Sequence, residues 1–220
     1  GYLLFPDFRS VVLKNIIAED NQSAFLRICG SNTDSRYVEM ENIKICNNHE
    51  SEEDSLYNFT QMYIESNYQG TIDVNMKNVE ITDNVEYDCG PDPIQSCSAI
   101  YLQSEINLNL VNCTIGNNIL PEGASRRGAI YIDGMDNHIN IYNSILYGDN
   151  HPEIYIHGYN DPNYFSSVSV NNSLIEGGAV GIQNPYYWNQ VYWNEGNLSE
   201  DPLWTQTGDY PYYLQTGSSC

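Results

Sequence analysis

Six segments of this chain share one form, and their spacing constrains the fold more than any other feature. Each has alternating aliphatic residues, an Asn, further aliphatics and usually a second Asn. They are Val11-Val12-Leu13-Lys14-Asn15, Val38-Glu39-Met40-Glu41-Asn42, Val74-Asn75-Met76-Lys77-Asn78, Leu108-Asn109-Leu110-Val111-Asn112, Ile139-Asn140-Ile141-Tyr142-Asn143 and Val168-Ser169-Val170-Asn171-Asn172. The key residues Asn15, Asn42, Asn78, Asn112, Asn143 and Asn172 recur at intervals of 27, 36, 34, 31 and 29 residues. Three positions after each sits Ala18, Ile45, Ile81, Ile115, Leu146 or Ile175. Six positions after it, four copies carry another Asn: Asn21, Asn48, Asn84 and Asn118. One such unit buries too little apolar surface to fold alone, whereas stacked units share a continuous core.

A second short strand follows in each copy. It reads Leu26-Arg27-Ile28, Met62-Tyr63-Ile64, Ile100-Tyr101-Leu102, Ile130-Tyr131-Ile132, Ile154-Tyr155-Ile156 and Val180-Gly181-Ile182. Alternation with period two puts the aliphatics inward and the polar residues outward. The pattern therefore predicts an all-β parallel β-helix of about six coils, roughly 30 Å tall at the inter-strand spacing. The recurring Asn at one corner predicts a structural side-chain amide ladder, and Asn tolerates the left-handed turn conformation. A β-sandwich would show turn signals every 8–12 residues but no ~30-residue period, and leucine-rich repeats have shorter periods.

Composition narrows the function classes. The 29 acidic and 8 basic residues give a net charge of -21, with 28 Asn, 19 Tyr and only 3 Lys. Phosphate affinity depends on Lys and Arg, so a nucleic-acid partner is excluded. Anionic membrane surfaces repel such a chain, and no run approaches the ~20 apolar residues of a membrane helix, so direct insertion is not expected. With 41% hydrophobic residues the chain is not a disordered acidic tail.

The coil length, the two Asn positions and the Gly/Ser-Ala-Ile-Tyr-Ile strand resemble the right-handed parallel β-helix proteins of the pectin-lyase-like superfamily, over roughly residues 3 to 184. The tail, from Trp193-Asn194-Glu195-Gly196-Asn197-Leu198 through Asp201-Pro202-Leu203-Trp204 to Gly217-Ser218-Ser219-Cys220, looks like the end segment of secreted bacterial β-helix repeat proteins. The resemblance implies an extracellular or cell-surface bacterial protein and continuation past Cys220. Residues 1–184 are accordingly read as the β-helix and 185–220 as a capping segment truncated from a longer chain. A cap is needed because the last coil exposes an open core and unpaired edges. Tyr186, Tyr187, Trp188, Tyr192, Trp193 and Trp204 supply its apolar area.

The outward rows of the second strand hold the candidate ligand-binding face: Arg27, Tyr63, Tyr101, Tyr131 and Tyr155 in one row, with Gly181 at its end. Beside them stand Glu65, Gln103, Asp133 and His157, between Cys29 and Gln183. Exposed aromatic faces with amide, carboxylate and imidazole neighbours suit a glycan, and an exposed Tyr row equally suits a protein partner or self-assembly. The expected function is a non-enzymatic binding or structural module, with no catalytic residue assigned. The alternative is a carbohydrate-active enzyme, a lyase or glycosidase. Glycosidases need two facing carboxylates, and Glu65 and Asp133 lie two coils apart, roughly 10 Å by the strand spacing. Asn32-Thr33-Asp34 resembles a polygalacturonase motif, but its companion motifs are missing from the sequence.

Three longer stretches, His49–Tyr57, Val85–Cys97 and Ile119–Arg127, follow the second Asn in consecutive copies and should cluster on one flank. The first two hold Glu50, Glu52, Glu53, Asp54, Glu86, Asp88 and Asp92, which could bind Ca²⁺ although no spacing matches a calcium loop. No other cofactor is expected, and the four His are too scattered for a metal site. Cys89 and Cys97 flank a Gly-Pro-Asp-Pro turn and read as a disulfide staple, while Cys29, Cys46, Cys113 and Cys220 have no assignable partner.

Overall fold

The computed structural model describes residues 3–6, 8–21, 26–30, 35–49, 60–66, 70–85, 99–120, 128–158, 161–208 and 211–220. They form two parallel sheets that curl around one core, an all-β arrangement compatible with a solenoid. Sheet A has seven strands: Leu3–Pro6, Leu26–Cys29, Met62–Glu65, Ile100–Gln103, Ile130–Asp133, Ile154–Gly158 and Ile182–Gln183. Sheet B has ten. Three are long (Ser10–Glu19, Arg36–Cys46, Ile72–Thr82). Then come Ile106–Val111, His138–Tyr142, Ser167–Asn171 and Gln190–Trp193, and, beside them, Thr114–Gly116, Ile145–Tyr147 and Leu174–Ile175.

The repeat is the register. Val11 pairs with Val38, Val38 with Val74, Val74 with Leu108, Leu108 with Ile139 and Ile139 with Val168. In sheet A, Leu26, Met62, Ile100, Ile130, Ile154 and Ile182 stack in the same way. These aliphatics line the core with almost no exposure. A one-residue slip would turn every one of them outward, so the pattern locks the pairing.

Each key Asn marks a bend. Asn15, Asn42, Asn78, Asn112, Asn143 and Asn172 all have φ between 45° and 56°, the left-handed region that Asn enters more readily than other non-Gly residues. The bend resets the alternation: Ile72, Val74 and Met76 point inward before Asn78, and Val79 and Ile81 after it. Three of the six amides are joined to the preceding one: Asn42 Nδ2 donates to Asn15 Oδ1 at 3.0 Å, Asn78 to Asn42 at 3.0 Å, and Asn112 to Asn78 at 3.4 Å.

A second ladder runs inside the fold. Asn48 and Asn84 are 1% and 2% exposed. Asn84 Oδ1 accepts from both the backbone N–H of Asn48 (3.1 Å) and its Nδ2 (2.9 Å), and Asn84 Nδ2 donates to Ile45 O at 3.2 Å. Each amide thus satisfies a buried backbone N–H and a buried carbonyl that the corner removes from the strand ladder.

Side chains also explain why the long strands of the first copies become split ones. After the outer corner the early copies have Ile43 and Val79, whose backbone continues the pairing. The later copies have Cys113, Ser144 and Ser173. There Cys113 N donates to Ser144 Oγ at 3.0 Å, Ser144 N to Ser173 Oγ at 3.1 Å and Ser173 N to Asn197 Oδ1 at 3.0 Å. Side-chain acceptors replace the ladder carbonyls and the strand is interrupted.

The tail departs from a simple plug. Gln190–Trp193 adds a further strand on Ser167–Asn171, so pairing runs on beyond residue 184. Trp193 packs partly buried on the core. Trp204, however, is 4% exposed against the flank. Its ring meets Tyr147 edge-on at 5.8 Å and Tyr212 at 4.8 Å, and it fills the notch left by Gly116. A small antiparallel hairpin around Trp204 and Leu214 holds it there. Tyr187 and Tyr192 are 89% and 49% exposed, so they add little cover to the core.

Removing a ladder amide should have unequal effects at the two corners. Asn84→Ala leaves buried donors of Asn48 unpaired and should cost roughly 2–4 kcal/mol. Asn78→Gly keeps the left-handed backbone and should change stability by less than about 1 kcal/mol. Urea unfolding midpoints of the two variants check this, and equal shifts would contradict it.

Candidate functional site

Sheet A places the outward row as its register requires. Tyr63 and Tyr101 stack at 4.9 Å between centroids, Tyr101 and Tyr131 at 5.7 Å, and Tyr131 and Tyr155 at 5.4 Å, with planes within 14° of parallel. The Arg27 guanidinium lies 4.9 Å over the Tyr63 ring, closing that end of the stack, and its Nε donates to Cys29 Sγ at 3.2 Å.

The row is less open than its outward position implies. Tyr101 is 3% exposed and Tyr131 only 1%. Each has both ring faces against a neighbouring tyrosine, so neither offers a face to a sugar. The expectation of an exposed row of four tyrosines is corrected here: at one-strand spacing the rings satisfy one another.

The second row is engaged in the same way. Tyr63 donates its hydroxyl to Gln103 Oε1 at 2.7 Å and approaches Glu65 at 3.2 Å. Burial first, then the Glu65 charge, holds the Tyr63 phenol well above its usual range, so it stays a donor. Tyr101 donates to Asp133 Oδ2 at 2.8 Å. Asp133 Oδ1 accepts from Gly134 N at 2.9 Å and meets His157 Nδ1 at 3.0 Å. These two struts run from Tyr63 and Tyr101 to the polar residue one strand on. Glu65 and Asp133 stand two strands apart, with Gln103 between them.

The C-terminal end of the row differs. The pairing of Ile130–Asp133 with Ile154–Gly158 shifts register between Ile132 and Asp133, so that Asp133 pairs with Gly158. This bulge frees His157 to lie over Tyr131 at 6.1 Å while bonding Asp133. Tyr155 pairs with Gln183, two positions beyond the alignment expected with Gly181. Beyond His157 the aromatic path continues: Tyr186 lies 6.4 Å from the imidazole and stacks on Trp188 at 4.8 Å, and Tyr187 meets Trp188 edge-on.

Sequence reasoning passed over one buried pair. Asp149 stands six positions after Asn143, where four earlier copies have Asn, and its Oδ1 accepts from Asn118 N at the end of the inner ladder. Asp149 Oδ2 and Glu153 Oε2 are both buried, and the two carboxyl groups interact with each other. Burial, then the neighbouring Asp149 charge, holds the Glu153 carboxyl well above its usual range, and burial raises that of Asp149 as well. The broken Asn series was the available signal.

Cys89, Cys97 and the acidic stretches considered for Ca²⁺ lie outside the described residues. Among the described residues Cys29, Cys46, Cys113 and Cys220 are free thiols, no group of three or more His, Cys, Asp or Glu could hold a metal ion, and no helix is long and apolar enough to cross a membrane. Burial pushes the Cys113 thiol up to about 11, as suits a small core residue. In comparisons with known proteins the chain matches no family model, no curated protein and no solved structure.

Two outcomes are expected. Tyr131→Ala should cost about 3–5 kcal/mol, as for other buried aromatics, and Tyr101→Phe about 1–2 kcal/mol through loss of the Asp133 bond. Denaturant titration of both variants measures this. For the carboxyl pair both affinities are raised, so the folded chain holds more protons than the unfolded one. That contribution is complete below about pH 4 and is lost as pH rises through the folded values, by up to about 1.4 kcal/mol per pH unit for each proton. Glu153→Gln should therefore flatten the fall of melting temperature between pH 5 and 9. An unchanged slope would show that the pair is not the source.

Proposed function

We propose that this chain is a right-handed parallel β-helix module of the secreted or cell-surface kind, with six principal coils, that binds extracellular glycan or protein without transforming it. Parallel crossovers are right-handed in about 98% of cases, and the stacking of six in-register copies supports the coil count. The observation that carries the binding reading is the engagement of the outward polar row. Gln103 and Asp133 are bonded to Tyr63, Tyr101 and His157, which suits a rigid scaffold rather than a reaction centre. The resemblance to surface-anchored β-helix proteins supports the location.

One observation favours a second reading, a carbohydrate-active enzyme. The Asp133 carboxylate on His157 Nδ1 would fix that imidazole's tautomer and orientation, as a general base requires. A single experiment separates the two: incubation with a panel of neutral and uronate polysaccharides, with binding, reducing ends and unsaturated uronates all measured. The binding module should retain glycan or protein ligands with no product formed. Product formation abolished by Asp133→Asn would overturn it in favour of the enzyme.

A further inference from the structure

We infer that the ligand platform of this module is the C-terminal end of the aromatic row, and that it takes an uncharged glycan. This rests on the binding reading above and says where, and for which chemistry, it applies. Along the rest of the row the rings are closed: Tyr101 and Tyr131 are sandwiched between neighbours and Tyr63 lies under Arg27. At the C-terminal end, among the described residues, the series of tyrosine partners ends. Tyr155 has Tyr131 on one face, and its strand partner on the other side is Gln183, an exposed amide rather than a ring. Tyr186, backed by Trp188, is half-buried, and Tyr187 beside it is 89% exposed.

The polar groups at this end decide the ligand's charge. His157 has Nδ1 on Asp133, and its side chain is 41% exposed, which leaves Nε2 for a ligand hydroxyl. Gln183 offers both a donor and an acceptor. Asp133, the carboxylate joined to the platform, already accepts from Tyr101, Gly134 and His157. The site therefore presents ring faces and hydrogen-bonding groups side by side. A pyranose matches this with an apolar C–H face and a rim of hydroxyls. A uronate or an acidic peptide meets no Lys or Arg among the described residues at this end, and a chain of net charge -21.

The test uses the whole chain and a panel of neutral oligosaccharides (gluco-, manno-, galacto- and xylo-oligomers) beside polygalacturonate, by calorimetry and tryptophan fluorescence. At least one neutral oligomer should bind and perturb the fluorescence, while polygalacturonate should not bind. Tyr187→Ala should weaken binding roughly tenfold and Gln183→Ala several-fold. Tyr213→Ala, 62% exposed in the tail, should leave it unchanged. Binding of a neutral oligomer that Tyr187→Ala and Gln183→Ala both leave intact would overturn the platform and spare the binding module. Preference for polygalacturonate would overturn the ligand class. Self-association or protein capture abolished by Tyr187→Ala, with no glycan bound, would overturn the glycan and make the platform a protein interface. Turnover of any oligomer would overturn the underlying non-catalytic reading.

Discussion

Parallel pairing in register is the constraint from which the rest of this structure follows. Neighbouring strands lie about 4.8 Å apart, so whatever residue occupies a position in one copy meets its equivalent in the next at van der Waals range. For Val, Ile and Leu that repetition makes a dry core. For a polar residue it is acceptable only when the side chain can both give and receive a hydrogen bond. Asn meets that condition and also adopts the bend, so it serves at the outer corner, where φ is positive, and at the buried one, where it replaces missing backbone partners.

The same spacing sorts the remaining side chains. Tyrosine repeats well because flat rings stack and the hydroxyl reaches the polar residue one strand on, as in Tyr63 to Gln103 and Tyr101 to Asp133. Repeated carboxylates would repel, and charge in the interior is poorly tolerated. Asp149 marks where the inner amide series gives way to a carboxyl, and there the protonation of Glu153 rises to limit the charge buried. Serine at 144 and 173 does what Asn does elsewhere, at the expense of strand continuity.

Much of this was legible in the sequence. The six Asn spacings predicted the register, and the aliphatic alternation predicted the core, because both are local consequences of a period shared by every copy. What the sequence did not disclose depends on departures from the period. Outward position was visible for Tyr101 and Tyr131, but their burial follows from ring-on-ring contact, which alternation does not report. The bulge at Asp133, which turns His157 toward the row, and the pairing of Tyr155 with Gln183 leave no compositional trace. Trp204 was read as cover for an open end. Its seat on the flank depends on Gly116, a notch recognisable only once the copies are stacked.

The two amide series point in opposite directions. In the outer one the bonded Nδ2 groups donate back toward the preceding copy, as from Asn42 to Asn15. In the inner one it donates forward, from Asn21 to Asn48 and from Asn48 to Asn84. Their dipoles oppose along the stack, so lengthening the molecule adds little axial polarisation. The N-terminal face consequently shows a donor at Asn15 and an acceptor at Asn21. A coil placed above it must answer with the complementary pair in the same order, which makes the stack a directional template.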